Sequence, residues 1–183
     1  MTKRELNSFL KYEYSLYFLD KKEYKKARIL LSERYLIWIY IKLLRFSEYY
    51  KSNHKRIRYI MNERKRNKLG TKLGFQIPLF VFKKGLKIHH SGSIVVNPET
   101  IVGENCSLHG MNCLGNKGDN SHGSPIIGSN VEIGIGALVI GDITIADGCI
   151  IGANSTVLEN FKEENVVLVG TPARVIKKGK DEI

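Results

Sequence analysis

Five histidines are the side chains of this 183-residue chain best suited to move protons near neutral pH: His54, His89, His90, His109 and His122. An imidazole of ordinary pKa, ~6.5, can take the proton of an attacking hydroxyl and return it to a leaving group without a covalent intermediate. Their settings differ. His54 sits in a run of lysines and arginines and reads as a surface residue. His89 and His90 are adjacent, and neighbours on an extended strand face opposite sides, so only one is expected to point at a given cleft. His109 follows an aliphatic residue, in a place expected to face outward, where it could border that cleft. His122 lies in a stretch of turn formers, Asn116 to Pro125. Cys106, Cys113 and Cys149 are odd in number and form no CxxC pair, which predicts small core residues rather than disulfides or a metal site.

A beat of six in the C-terminal half must position these groups. Aliphatic residues recur at Val96, Val102, Leu108 and Leu114, then at Ile127, Ile133, Val139, Ile145, Ile151 and Val157. The second place is often glycine (Gly103, Gly115, Gly128, Gly134, Gly152), and the fifth is small (Thr100, Cys106, Ala137, Cys149, Ser155). Such a period is neither the 3.6 of a helix nor the two of a plain strand. It is the repeat of a parallel β-helix, in which three hexads make one triangular coil and the leaders stack into interior columns. Glycine in the second place is expected to supply turn conformations that a side chain would resist. Residues 116–125 break the beat and predict a loop extruded from one corner.

The N-terminal part has a different character. Residues 1–70 hold 19 Lys+Arg against 7 Asp+Glu, whereas the remainder holds 10 against 11. Apolar residues at three- and four-residue spacing, from Leu6 to Tyr17 and from Ile29 to Leu44, predict helices, with breaks near Ser32 and Ser52. The chain therefore divides into a basic α-helical cap (1–70), a β-helix domain (71–176) and a basic tail (177–183). The basic excess reads as a solvated helix face or as a contact for anionic partners. No nucleic-acid module accompanies it, so a nucleic-acid partner is not expected. No apolar run is long enough for a transmembrane segment, and Met1 to Asp20 lacks a signal core. A cytoplasmic location is expected, with the inner membrane surface as its variant.

Ile88-His89-His90-Ser91-Gly92-Ser93-Ile94-Val95-Val96-Asn97-Pro98, the hexads that follow and Gly170-Thr171-Pro172-Ala173-Arg174-Val175-Ile176 together resemble the serine acetyltransferase-like branch of the hexapeptide-repeat acyltransferases. The resemblance covers about residues 75–177. It implies a left-handed parallel β-helix with a helical N-terminal cap, assembled as a homotrimer with active sites between subunits. It also implies an O-acetyltransferase that uses acetyl-CoA and needs no metal. His90 matches the general base of the branch. His89, His109 and His122 are candidates for binding the acceptor. Gly134, Gly136 and Ala137 match the Gly-x-Gly-Ala turn of the acetyl-CoA groove, Gly152 and Ala153 stack one coil above, and Thr171 to Arg174 form the closing loop. Arg174 and Lys177, with Lys178, are the expected phosphate partners.

Two departures bear on the acceptor. Serine acetyltransferases carry an aspartate immediately before the base, where this chain has His89. They also carry an Asp-Arg-His-Pro stretch, where this chain reads Asn120-Ser121-His122-Gly123-Ser124-Pro125 without arginine. Loss of that clamp favours a neutral sugar hydroxyl, in a surface polysaccharide such as capsule or in its precursor, over serine. A basic cap would suit an anionic or lipid-phosphate-linked form of that acceptor. Serine O-acetylation for cysteine biosynthesis is the alternative, and a non-catalytic assembly platform is a second. The branch also places a carboxylate about fifteen residues before the base. Here Gly74-Phe75-Gln76-Ile77-Pro78 has none, which leaves Gln76, a backbone carbonyl, Glu99 or Glu104 to orient His90.

Overall fold

The computed structural model describes residues 1–118 and 123–178, with the side chains of residues 177 and 178 outside that description. Four helices come first among the described residues: α1 (Lys3–Tyr17), α2 (Lys21–Ile29), α3 (Glu33–Ser52) and α4 (Arg56–Leu73). Each of the first three starts where a side chain satisfies free backbone donors. Thr2 and Glu5 form a capping box, Asp20 accepts from the Glu23 amide, and Ser32 accepts from the Tyr35 amide at 3.3 Å. The break at Ser32 and the end of α3 at Ser52 fall where the sequence places them. Gly70 does not end α4. The helix runs on to Gly74, whose φ of 81° makes it the left-handed C-cap.

Five coils follow. The first holds β1 (Phe75–Gln76), Phe82 as a single bridge and β2 (Lys87–Ile88). The second holds β3 (Ile94–Val96), β4 (Ile101–Val102) and β5 (Ser107–Leu108), and the third β6 (Cys113–Gly115), β7 (Ile126–Ile127) and β8 (Glu132–Ile133). The fourth holds β9 (Leu138–Ile140), β10 (Thr144–Ile145) and β11 (Ile150–Ile151); the fifth holds β12 (Thr156–Val157), Phe161 as a bridge and β13 (Val166–Gly170). All pair in parallel across three faces until β14 (Ala173–Lys178) folds back antiparallel on β13. Registers such as Val96↔Leu114, Leu114↔Val139 and Val139↔Val157 stack the hexad leaders in columns. Every leader from Val96 to Val157 is at most 5% exposed.

The glycines do a different job from the expected one. The left-handed turn falls in the fourth place of the hexad, at Asn105, Asn130, Gly136, Gly148 and Asn154, and not at the second-place glycines. Gly103, Gly128, Gly134 and Gly152 are needed because the next coil lies against them, whereas a Cβ on Gly115 would meet only Asn97 Cβ at 3.8 Å. A Cβ on Gly134 would stand 2.7 Å from the Ala153 nitrogen, and one on Gly103 would stand 2.5 Å from the Gly128 oxygen.

Buried charge holds the cap to the prism. Arg45, wholly buried, pairs with Glu13 at 2.7 Å and Glu48 at 3.0 Å and donates to the carbonyls of Phe82 and Lys83. Glu13 also accepts from the Gly85 and Leu86 amides, and Glu48 from Phe80. Arg66 of α4 reaches the Ile77 carbonyl at 2.7 Å. These two arginines are anchors, not part of a solvated basic face. Tyr17 closes the free edge of β2: its hydroxyl accepts from the Ile88 amide at 2.6 Å.

Candidate active site

Three features of the local chain place His90. β2 ends at Ile88, so the pleat alternation expected to separate His89 from His90 no longer operates. Instead the two rings lie 6.5 Å apart, centroid to centroid, on one edge of the prism. The loop beyond is pinned to the end of α4, because the Gly92 amide donates to the Leu73 carbonyl and the Ile94 amide to that of Gly74, both at 2.9 Å. A Cβ on Gly74 would meet the Gly92 oxygen at 2.6 Å, so the helix stop and the histidine loop require each other's shape.

His90 itself is open, with 61% of its side chain exposed, and its Nδ1 stands 3.8 Å from Glu33 Oε2. Glu33 is the first residue of α3, where the helix dipole favours a negative charge. Its Oε1 accepts from both the Ser91 amide, at 2.8 Å, and the Ser91 hydroxyl, at 2.5 Å. These Ser91 bonds, with the nearby His90 as a lesser cause, hold the Glu33 carboxyl below its usual range. The sequence reading did not foresee Glu33 beside His90 and named Gln76, a backbone carbonyl, Glu99 or Glu104. The signal was faint: Ser32-Glu33 announces a helix start, but nothing in the periodicity says that this start abuts residue 91.

His89 continues the ladder that His90 leaves. Its amide donates to the Leu108 carbonyl, that of His109 to Ile133, that of Gly134 to Ile151 and that of Gly152 to Leu168, all at 2.8–2.9 Å. One column of the edge therefore reads His89, His109, Gly134, Gly152. The two imidazoles stack, 4.1 Å apart and 16° from parallel. Burial, reinforced by His109 and Lys87, pushes His89 down to about 4, so it is neutral at pH 7. His109 Nε2 lies 2.8 Å from Glu132 Oε1, an ion-pair contact whose alignment does not make it a hydrogen bond. Glu132 was not foreseen, although the register Ser107↔Glu132 follows from the beat once the corner loop is subtracted.

The remaining expected site residues spread along and beyond this edge. Gly136 holds a φ of 71° and donates to the Gly110 carbonyl at 3.0 Å. Ala137 is fully buried, and Ala153 is exposed. Thr171 Oγ1 donates to the Asn154 carbonyl at 3.3 Å, and exposed Arg174 pairs with Glu159 at 2.6 Å. His122 and the side chain of Lys177 lie outside the described residues. His54 is exposed at the end of α3, far along the chain from the other histidines. Among the described residues no group of His, Cys, Asp and Glu could hold a metal, and no helix is long and apolar enough to cross a membrane.

A three-sided stack of parallel hexads with a histidine at the head of a glycine edge is the architecture of hexapeptide transferases, and the comparisons agree. Residues 124–159 match the family described as bacterial transferase hexapeptide (six repeats). The serine acetyltransferase of Buchnera aphidicola subsp. Schizaphis graminum is 33% identical over 127 residues, 68% of this chain and 48% of the relative. A putative colanic acid biosynthesis acetyltransferase of Escherichia coli K12 is 36% identical over 89 residues, 48% of this chain and 54% of the relative. The chain thus spans about half the length of these curated relatives. Among solved structures, the serine acetyltransferase of Brucella abortus strain S19 in complex with coenzyme A aligns with a TM-score of 0.65 and 27% identity, covering 78% of this chain and 56% of that one. The Neisseria gonorrhoeae serine acetyltransferase covers 99% of this chain and 71% of its own with a TM-score of 0.71; at 22% identity it speaks for the fold alone. The chain carries the hexapeptide repeat and is similar both to serine acetyltransferases and to a putative colanic acid biosynthesis acetyltransferase.

Proposed function

We propose that this protein is an O-acetyltransferase that moves the acetyl group of acetyl-CoA to a sugar hydroxyl of a cell-surface polysaccharide or its precursor. The observation that carries the reading is the continuous edge on which His90 stands at the head of the column His89–His109–Gly134–Gly152. His90 would take the hydroxyl proton as the acceptor oxygen bonds to the acetyl carbon. As the carbon–sulfur bond breaks, it would return that proton to the thiolate, whose conjugate acid has a pKa of about 8.5 like other thiols. The pantetheine arm would run along the outside of this edge, past the backbone of Gly134, Gly136 and Gly152. Thr171, Arg174 and Lys177 are the proposed contacts of the nucleotide end. Arg174 would exchange its exposed Glu159 partner for phosphate, a surface pair worth only ~0–1 kcal/mol. The likeness to a serine acetyltransferase solved with coenzyme A supports the donor.

The acceptor reading rests on charge. Glu33 and Glu132 flank the histidines and His89 is held neutral, so this edge would disfavour the carboxylate of an amino acid, whereas an uncharged polyol would meet no such penalty. His89, His109 and His122 are the proposed acceptor contacts. A left-handed β-helix domain over residues 71–176, the cap over residues 1–70 and a cytoplasmic homotrimer complete the proposal; Val95, Met111 and Ile135 are exposed apolar surface that a neighbouring copy would cover. Serine O-acetylation remains a second reading on the strength of the Buchnera relative.

Release of free CoA, followed with sugar acceptors and with L-serine in parallel, tests the reading. Turnover with sugars and none with L-serine is expected. The reverse pattern establishes the serine reading. No turnover of acetyl-CoA with any acceptor overturns the enzyme assignment in favour of an assembly platform.

A further inference from the structure

A histidine that serves as a base needs an acceptor on its second ring nitrogen to fix the tautomer. The strand preceding His90 offers no acid for this, but the cap does. Glu33 reaches across from α3 with one oxygen locked by two Ser91 donors, so its other oxygen is held 3.8 Å from His90 Nδ1. That distance suits an ion pair and is long for a hydrogen bond. Catalytic contacts of an unliganded site are often loose in this way and tighten when substrate arrives. Among the described residues, the other titratable groups around the ring are His89 beside it and, around His89, His109 with Glu132 and Lys87.

We propose that Glu33 is the positioning residue of His90, so that the helical cap supplies part of the acid–base machinery of the prism. With the Nδ1 proton turned toward Glu33, Nε2 is left unprotonated and free to receive the hydroxyl proton. During transfer the carboxylate stabilises the imidazolium until the proton passes to the departing thiolate sulfur. The donors that lock Glu33 also keep it ionised through the working range. Its place on the first turn of α3 makes the docking of the cap a condition for a correctly aimed base. The catalytic half of this inference rests on the function proposed above; the pairing of the two residues does not.

The experiment uses the full chain, labelled with 15N, as wild type, Glu33→Gln and Glu33→Ala. Long-range 1H–15N correlation reads the tautomer of His90, assigned by the loss of its signals in His90→Gln. The neutral wild-type ring is expected mainly as the Nδ1–H form, with the Nε2–H form growing severalfold in both Glu33 variants. In turnover, kcat is expected to fall about 10- to 100-fold while KM for acetyl-CoA moves less than about twofold, with partial recovery in Glu33→Asp. Half of the Glu33 side chain is exposed, so these variants are expected to fold. An unchanged tautomer in both variants overturns the proposal, as does a Glu33→Ala enzyme of full kcat when His90→Ala is inactive. A Glu33-dependent tautomer in a chain that transfers no acetyl group supports the pairing and sinks the proposed function, so the two failures are distinguishable.

Discussion

The cap and the prism solve the problem of order by opposite means. In the prism each residue meets its equivalents one coil above and below, so the pattern Ile133, Ile151, Leu168 is a set of near-identical apolar contacts. No single side chain is unique there. In the cap the decisive contacts are singular and charged: Arg45 alone gathers Glu13, Glu48 and two carbonyls of the first coil. A repeat fixes its geometry through many equal parts, whereas the cap fixes its own through one buried cluster. The site lies where the two meet, His90 from one and Glu33 from the other.

The sharpest way to break this contrast is to remove the base. His90→Ala should lower turnover with acetyl-CoA about 10²- to 10⁴-fold and leave the thermal unfolding midpoint unchanged, because the ring is mostly solvent-exposed. Residual transfer near the wild-type rate would move the base elsewhere along the histidine column.

Next comes stability. Arg45→Ala leaves Glu13 and Glu48 buried without their cation and should cost about 3–5 kcal/mol in urea unfolding. Ile133→Ala, deleting one member of a fully buried column, should cost about 2–5 kcal/mol through lost transfer energy and cavity. The contrast lies in rescue. Arg45→Met with Glu13→Gln and Glu48→Gln should recover much of the loss, since buried ion pairs contribute little net stability over well-packed apolar groups. If the triple variant is as unstable as Arg45→Ala, the cluster is a true source of stability and not a fixer of geometry.

Legibility divides along the same line. The columns were readable in full, from Val96 to Val157, because a fixed offset converts sequence position into spatial neighbour. The small fifth-place residues followed from the same rule; residues 119–122 of the expected corner loop lie outside the described residues. What a rule of period could not give was the role of the second-place glycines, since close coil-to-coil approach and positive φ leave the same trace in a sequence. The alternation argument does not reach His89 and His90, because it presumes a strand that stops at Ile88. Glu33 and Arg45 were unreadable as partners: 58 residues separate Glu33 from Ser91, and 32 separate Arg45 from Glu13. Charge count suggested a solvated surface for arginines that the fold buries.

A smaller effect sharpens the comparison inside the prism. His89 is held near 4, below the ordinary value of 6.5, so its folded form binds a proton less readily than the unfolded chain. Stability contributed by the neutral ring is therefore intact above about 6.5 and is lost as pH falls from about 6.5 to about 4. Glu33 acts in the same direction at lower pH: its depressed carboxyl contributes stability that disappears as the pH drops through its folded value. Urea midpoints measured across this range should slope less in His89→Gln than in wild type. Parallel slopes would mean that the stacked ring titrates as freely as an exposed one.

The smallest effect belongs to Arg174. Its link to Glu159 joins two side chains that are each more than half exposed, so Arg174→Ala should change stability by no more than ~1 kcal/mol. If the closing loop holds the nucleotide phosphates, the same substitution should raise KM for acetyl-CoA severalfold, with kcat nearly constant. That split would mark uniform binding of ground and transition states. It should also weaken as salt rises, because a solvent-exposed charge contact is screened within about 8–10 Å at ordinary ionic strength. A kcat effect without a KM effect would move Arg174 from the cosubstrate's distant end toward the reacting groups, and the reading of the glycine edge as the CoA groove would have to be reversed.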